Sequence, residues 1–199
     1  MPQSLILASG SAIRTKLLTQ AGVDHEVQVP RIDEQLIKES LIADNAPPRD
    51  VADTLAEMKA RKISEKNPGA LVLGCDQVLD HNGTLLSKPA SPDDALSQLK
   101  ALRGDRHSLL SAAVICEDGQ PVWRHVGQVR LRMRDASDDY LADYLSRNWD
   151  SIRHSVGCYK LEEEGVRLFS NIEGDYFTVL GMPLLELLNH LTLRGDLAS

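Results

Sequence analysis

The chain has few of the residues that mark a disulfide-stapled, zinc-clipped or membrane-bound protein. Its 199 residues include three cysteines, Cys75, Cys116 and Cys158. They are an odd, widely spaced set with no CxxC and no Cys/His pattern at zinc-ligand spacing, so they read as reduced thiols of a cytosolic protein. The opening MPQSLILASG lacks the basic flank and long apolar run of a signal peptide, and no stretch reaches the ~20 apolar residues of a membrane span. The expected location is the cytoplasm, with no membrane partner. Positive charge is also short. Lys and Arg number 22 against 29 Asp and Glu, a net charge of -7, which argues against a general nucleic-acid binder, because such binding rests on basic contacts to phosphate. Any anionic ligand must meet a local cluster of bases. The nucleotide fingerprints GxGxxG and GxxxxGKS/T are missing, and there is no internal repeat, low-complexity tract or linker.

What is present suits a folded domain: 42% of the residues are hydrophobic, enough to bury a core in a single domain over 1–199, built as two lobes around a cleft. Leu5 to Ala8 reads as a strand leading through Ser9-Gly10-Ser11 into a helix that Gly22 closes. His25 to Val29 alternates like a strand, and Arg49 to Lys66 has helical spacing ended by Asn67-Pro68-Gly69. A strand, ALVLGC, follows and is expected to stop at Asp76. Asn82-Gly83 signals a hairpin turn. Ser91 and Pro92 are the expected N-cap and first residue of a helix to Leu102. Two long antiparallel strands, Ser108 to Cys116 and Pro121 to Met133, are joined at Asp118-Gly119. A helix at Ser137 to Leu145, short strands around Val166 to Phe169 and Tyr176 to Leu180, and a final helix from Pro183 complete the reading. The expected class is α/β, with a mixed, partly antiparallel central sheet flanked by helices.

Several polar residues could carry chemistry, and each also has an ordinary explanation. Ser9-Gly10-Ser11 with Arg14 is a small-residue turn feeding a helix N-terminus, which presents free N–H groups, a positive dipole end and a forked guanidinium to phosphate. A serine-rich helix start can equally be just an N-cap. Asp76 follows a buried strand, where open α/β sheets place ligand crevices, or it simply begins a turn. Asp33-Glu34 supplies carboxylates of the kind a hard divalent ion requires, or is solvated surface. Lys59 and Lys88 flank Asp76 in sequence and could be ordinary exposed lysines.

The order of these pieces resembles the Maf family, whose members carry LASxSPRRxxLL, a DE pair, LAxxKA, GxDxV, KP and GDYxxVxGLPL. This chain has LASGSAIRTKLL at Leu7 to Leu18, Asp33-Glu34, LAEMKA at Leu55 to Ala60, Gly74-Cys75-Asp76-Gln77-Val78, Lys88-Pro89, and GDYFTVLGMPL at Gly174 to Leu184. The resemblance implies cleavage of nucleoside triphosphates between the α and β phosphates, giving monophosphate and pyrophosphate, with a divalent cation such as Mg, Mn or Co, in a homodimeric house-cleaning enzyme. It implies that Asp76 and Glu34 hold the metal, that Asp76, Glu34 and Lys88 are catalytic, and that Ser9, Arg14 and Lys59 bind substrate. Ala12 and Ile13 depart from the family's Pro-Arg, which leaves Arg14 to serve the phosphates there.

Three positions resemble subgroup differences in base choice. Members acting on thymidine or uridine triphosphates show Arg, Thr and Gln, and those acting on 7-methyl-GTP show Trp, Gln and Glu; this chain has Ile13, Gln77 and Glu162. Two of the three favour 7-methyl-GTP. A carboxylate only accepts hydrogen bonds, so Glu162 matches the two N–H donors on guanine's edge better than a uracil ring. Ile13, by contrast, offers no aromatic face to the charged methylguanine. The alternatives are a dTTP/UTP pyrophosphatase, or a nucleotide-binding regulator of septum formation without turnover. A thiol reading of Cys158 with His154 and a packing or dimer role for Trp123 in a strand and Trp149 in a loop complete the expectations.

Overall fold

The computed structural model describes residues 5–198. Strand β1 (Leu5–Ala8) passes through a short turn into α1 (Ala12–Gln20), which ends as Gly22 takes the left-handed φ of +69°. After β2 (His25–Val27) come α2 (Glu34–Ala43) and α3 (Pro48–Ser64), then β3 (Leu71–His81) and β4 (Thr84–Leu86). Helix α4 (Pro92–Leu102), β5 (Arg106–Glu117), β6 (Gln120–Met133), α5 (Asp138–Ile152), β7 (Phe169–Glu173), α6 (Tyr176–Val179) and α7 (Leu184–Arg194) complete the order. The strands form one mixed sheet in the order β2-β1-β3-β5-β6-β7, with β4 paired to β3. β1 runs parallel to both β2 and β3, while β4 and β7 pair antiparallel with β3 and β6.

The α/β class and the mixed sheet agree with expectation. Ser91 caps α4 by accepting from the Asp94 amide at 3.1 Å, with Pro92 at the first position. At the β3–β4 hairpin, Asn82 and Gly83 both take positive φ, 54° and 85°, the primed turn that matches strand twist.

Four expectations need correction. β3 does not stop at Asp76 but continues to His81; what ends there is its partner, because β1 pairs with β3 only as far as Ala8 opposite Gly74. Tyr176 to Val179 is a one-turn helix, not a strand, because the Asp175 side chain accepts from the Thr178 amide at 2.9 Å and the cap overrides the β propensity of the segment. Val166 lies in a 3-10 turn before β7. Trp149 lies within α5, whose amphipathic pattern runs past Leu145 to Ile152, so it is not a loop residue. Helix α2 is absent from the expected elements altogether.

The chain divides into two compact units. The first comprises the described residues up to Gln77, Leu110–Gly127 and the stretch from Gly181. In it α3 buries Val51, Ala52, Leu55, Ala56, Lys59, Ala60, Ile63 and Ser64. Its alanine face allows an unusually close approach to β3: a Cβ on Gly74 would stand 2.1 Å from the Ala56 carbonyl oxygen and 2.7 Å from the Ala60 nitrogen. Glycine is required at that point by space rather than by φ. The second unit, Val78–Leu109 and Gln128–Leu180, has its own core, in which Leu79, Leu99, Leu109, Leu131, Tyr144 and Phe169 pack together.

Candidate active site

The first unit gathers five of the polar residues singled out in the sequence. Helix α1 begins at Ala12 with Ser11 in the N-cap position, yet the Ser11 side chain makes no capping bond. Its serines are therefore not there merely to satisfy the first turn, which keeps its N–H groups and dipole end available to an anion. Ser9 is buried, and its Oγ accepts from the Ser11 amide and from an Arg14 nitrogen, both at 3.2 Å. Arg14 also donates to the Cys75 carbonyl at 3.1 Å and, through Nε, to the Gly181 carbonyl at 2.8 Å. The guanidinium is thus fixed in place by neutral acceptors.

Beside it runs a carboxylate–ammonium–carboxylate chain. Lys59 Nζ lies 2.7 Å from Asp76 Oδ1 and 3.0 Å from Glu34 Oε2. Lys59 and Asp76 are 6% and 7% exposed, so this is a buried pair, whereas the Glu34 side chain is half exposed. Burial raises the pKa of Asp76 and Glu34 raises it further, against the Lys59 ammonium and the Arg14 guanidinium, which pull it down. A buried pair of this kind contributes little net stability, which makes it a better candidate for function than for holding the fold together.

The Asp33-Glu34 pair is not a twin carboxylate site. Asp33 is the N-cap of α2, its Oδ1 accepting from the Leu36 amide at 3.0 Å, and Glu34 alone reaches Lys59. Among the described residues no group of three or more His, Cys, Asp or Glu is arranged to hold a metal. Two carboxylates do suit a Mg²⁺-like ion that takes its remaining ligands from water and substrate phosphates.

Ile13 is half-buried on α1, and Gln77 donates to Ser111 Oγ at 3.0 Å. Lys88 and Glu162 belong to the second unit, and both are exposed. Of the three successive glutamates, Glu163 accepts from Ser151 and Lys160 and Glu164 from Arg147 and Asn148; Glu162 has no side-chain partner among the described residues. The thiol reading fails, since burial pushes Cys158 up to about 12.

Two contributors went unrecognised in the sequence. Gly181 holds Arg14 through its carbonyl with φ of +99°, and a Cβ there would stand 3.2 Å from the guanidinium. The GDYFTVLGMPL segment contains it, but nothing local says which residue it serves. Lys38 lies on α2 four residues after Glu34, the spacing that places two side chains on one helix face.

An open mixed sheet, a serine turn at a helix N-terminus and a buried carboxylate–lysine pair beside the last β1–β3 pairing define an α/β protein with a charged centre at the carboxyl end of β1. A family model described as Maf-like protein matches residues 4–193. The chain belongs to the Maf family. It is 74% identical over 197 residues, 99% of each chain, to a protein of Roseobacter denitrificans named nucleoside triphosphate pyrophosphatase. Relatives of the same name from Ruegeria pomeroyi and Caulobacter vibrioides are 71% and 50% identical, covering 98% and 96% of each chain. Among solved structures, a HAM1 protein from Coxiella burnetii is similar over 67% of this chain and 74% of that one, with a TM-score of 0.46 and 16% identity.

Proposed function

We propose that this chain is a nucleoside triphosphate pyrophosphatase, hydrolysing the α–β phosphate bond to give a monophosphate and pyrophosphate. The observation that carries the proposal is Asp76, a buried carboxylate bonded to Lys59 at 2.7 Å next to the Ser9 and Arg14 turn, in a chain whose relatives bear that name.

The α1 N-terminus and Arg14 bind phosphate oxygens, and the guanidinium's fixed position means it need not reorganise as charge develops on the leaving pyrophosphate. Asp76 accepts a proton from the attacking water. Its raised pKa makes it a stronger base than a solvated aspartate, while Lys59 keeps it ionised. Glu34 shares the Lys59 ammonium and so orients it. A divalent cation, Mg, Mn or Co, held by Asp76 and Glu34 with phosphate oxygens, would supply further charge neutralisation and a more acidic bound water. Ser9 completes the phosphate turn, and Lys88 serves as an additional phosphate cation.

Within this activity the preferred substrate is 7-methyl-GTP. Gln77 and Glu162 match that subgroup, and Glu162 is the one glutamate of its run not held by a neighbouring side chain among the described residues. The enzyme acts as a cytoplasmic homodimer in the same reading. The decisive test is pyrophosphate release from 7-methyl-GTP, dTTP, UTP and the common triphosphates with each metal and with chelator. Release that is fastest from 7-methyl-GTP and abolished by chelation is expected. Faster release from dTTP or UTP would overturn the base preference, activity surviving chelation the metal role, and no release from any triphosphate the activity itself.

A further inference from the structure

The second half of β6 alternates between two faces. Val129, Leu131 and Met133 are buried with Leu99 and Leu102 of α4 and Leu141 and Tyr144 of α5, while Gln128, Arg130, Arg132 and the following Arg134 are exposed. The neighbouring strands show what else the exposed face carries. Gln128 donates to Ser108 Oγ of β5 at 3.1 Å, which sets Arg106, two residues along and also exposed, on the same face. The register with β7 places Glu173 beside Arg130 and Asn171 beside Arg132. The Glu173 carboxylate lies 3.9 Å from the Arg106 guanidinium and accepts from Asn171 at 2.9 Å.

Four guanidinia thus meet one carboxylate among these positions, in a chain whose net charge is -7. Elsewhere on the surface Arg61, Arg103, Arg124, Arg147 and Arg194 each pair with a carboxylate. Arg130, Arg132 and Arg134 have no ion pair and no side-chain hydrogen bond among the described residues. Like charges in a row repel, and opposite charges across the strands would stabilise the sheet better, so folding does not account for the arrangement. Side chains on one face of a strand recur about every 7 Å, close to the repeat of phosphates along an extended single nucleic-acid strand. Each guanidinium fork matches phosphate oxygens. The positions named include no apolar side chain, so the face lacks both the apolar centre of a stable protein interface and the inserting groups of a membrane-binding surface. Ser108, Gln128 and Asn171 add hydroxyl and amide groups of the kind that bond a ribose 2′-hydroxyl.

We infer that this face binds single-stranded RNA through its phosphate backbone, with Arg130, Arg132 and Arg134 tracking successive phosphates and Arg106 at the margin. With no aromatic side chain among these positions to stack on bases, binding is sequence-tolerant and salt-dependent. It uses none of the residues of the Asp76 centre and does not depend on the proposed activity. The test is fluorescence anisotropy of an oligouridylate with a 5′-hydroxyl and a 3′ label, titrated with the full chain in EDTA at increasing KCl. Wild-type affinity should fall with salt at a log–log slope of about -2, as three phosphate contacts require. Arg130→Gln/Arg132→Gln should bind about tenfold or more weakly, its slope reduced by about 1.4, whereas Arg130→Lys/Arg132→Lys should keep the slope. Glu173→Gln, which removes the carboxylate from the face, should bind more tightly. Thermal midpoint and pyrophosphate release of the glutamine variant should match the wild type. No binding by the wild type at low salt, or equal affinity and slope in the glutamine variant, would overturn the inference. So would tighter binding to oligothymidylate, to duplex RNA of the same length or to phosphatidylglycerol vesicles, each of which would assign the face to a different partner.

Discussion

Helices α2 and α3 follow one another in the chain and both reach the Asp76 centre, yet they are made in opposite ways. α3 has 17 residues, buries eight of them and brings Lys59 against β3 with backbone nearly touching at Gly74. α2 has ten residues and buries none; it is started by the Asp33 cap and contributes Glu34 and Lys38 from a face that is only half covered. The lysine that must stay bonded to Asp76 thus sits on the element with the deepest packing. Glu34, which the proposed function pairs with Asp76 in holding a metal, sits on the element with the least, where opening costs little and a ligand has room to act. Catalytic geometry and adaptability are divided between two neighbouring helices.

The largest effect expected is on turnover. Asp76→Asn keeps the shape but removes the base, and pyrophosphate release should fall by about a hundredfold or more; a rate near that of the wild type would leave α3 presenting its lysine to nothing of catalytic importance. Next is the close approach that anchors α3. Gly74→Ala forces a Cβ to within 2.1 Å of the Ala56 carbonyl, so the helix must move off β3 at a cost of about 3 kcal/mol, with loss of activity as Lys59 shifts. Denaturant unfolding and kinetics on one preparation would show whether stability and rate fall together.

Acid sensitivity offers a control outside both helices. His107, in the second unit, is 3% exposed and bonded to the Tyr159 hydroxyl at 2.8 Å, and burial lowers its pKa from 6.5 to about 4. A neutral buried histidine favours the folded state fully above pH 6.5, and that contribution is lost as pH falls from 6.5 towards 4, because the unfolded chain takes up the proton first. The loss amounts to about 3 kcal/mol at most. His107→Phe should flatten the stability profile over that window, and an unchanged slope would place the sensitivity elsewhere.

A pair of truncations, one costly and one with the smallest effect expected, separates the two helices directly. Leu55→Ala, at a position of α3 that is 2% exposed, should cost about 2–5 kcal/mol. Leu36→Ala on α2, at 62% exposure, should stay within about 0.5 kcal/mol. Equal costs in urea melts would erase the distinction between scaffold and adaptable helix.

That distinction also explains what could be read in advance. α3 announces itself through Val51, Leu55 and Ile63 at helical spacing, and the hairpin through Asn82-Gly83, because burial and turn chemistry leave a periodic or local mark. α2 leaves no such mark: its apolar residues do not form the stripe that faces a core, so neither the helix nor Lys38 stood out. The α6 segment misled in the opposite sense, its β-prone residues being held in a turn of helix by Asp175.

The sequence alone determined the α/β class, most element boundaries and the ordered motifs that mark a Maf chain, because these follow from short-range periodicity, caps and turns. Only the tertiary structure decided that Asp33 is a cap while Glu34 reaches Lys59, that β3 continues past Asp76, and that Lys59 lies between two carboxylates. It alone revealed that Arg14 is held by carbonyls 61 and 167 residues away. Contacts across such separations depend on which faces of which elements pack together, and no local pattern of residues encodes that choice.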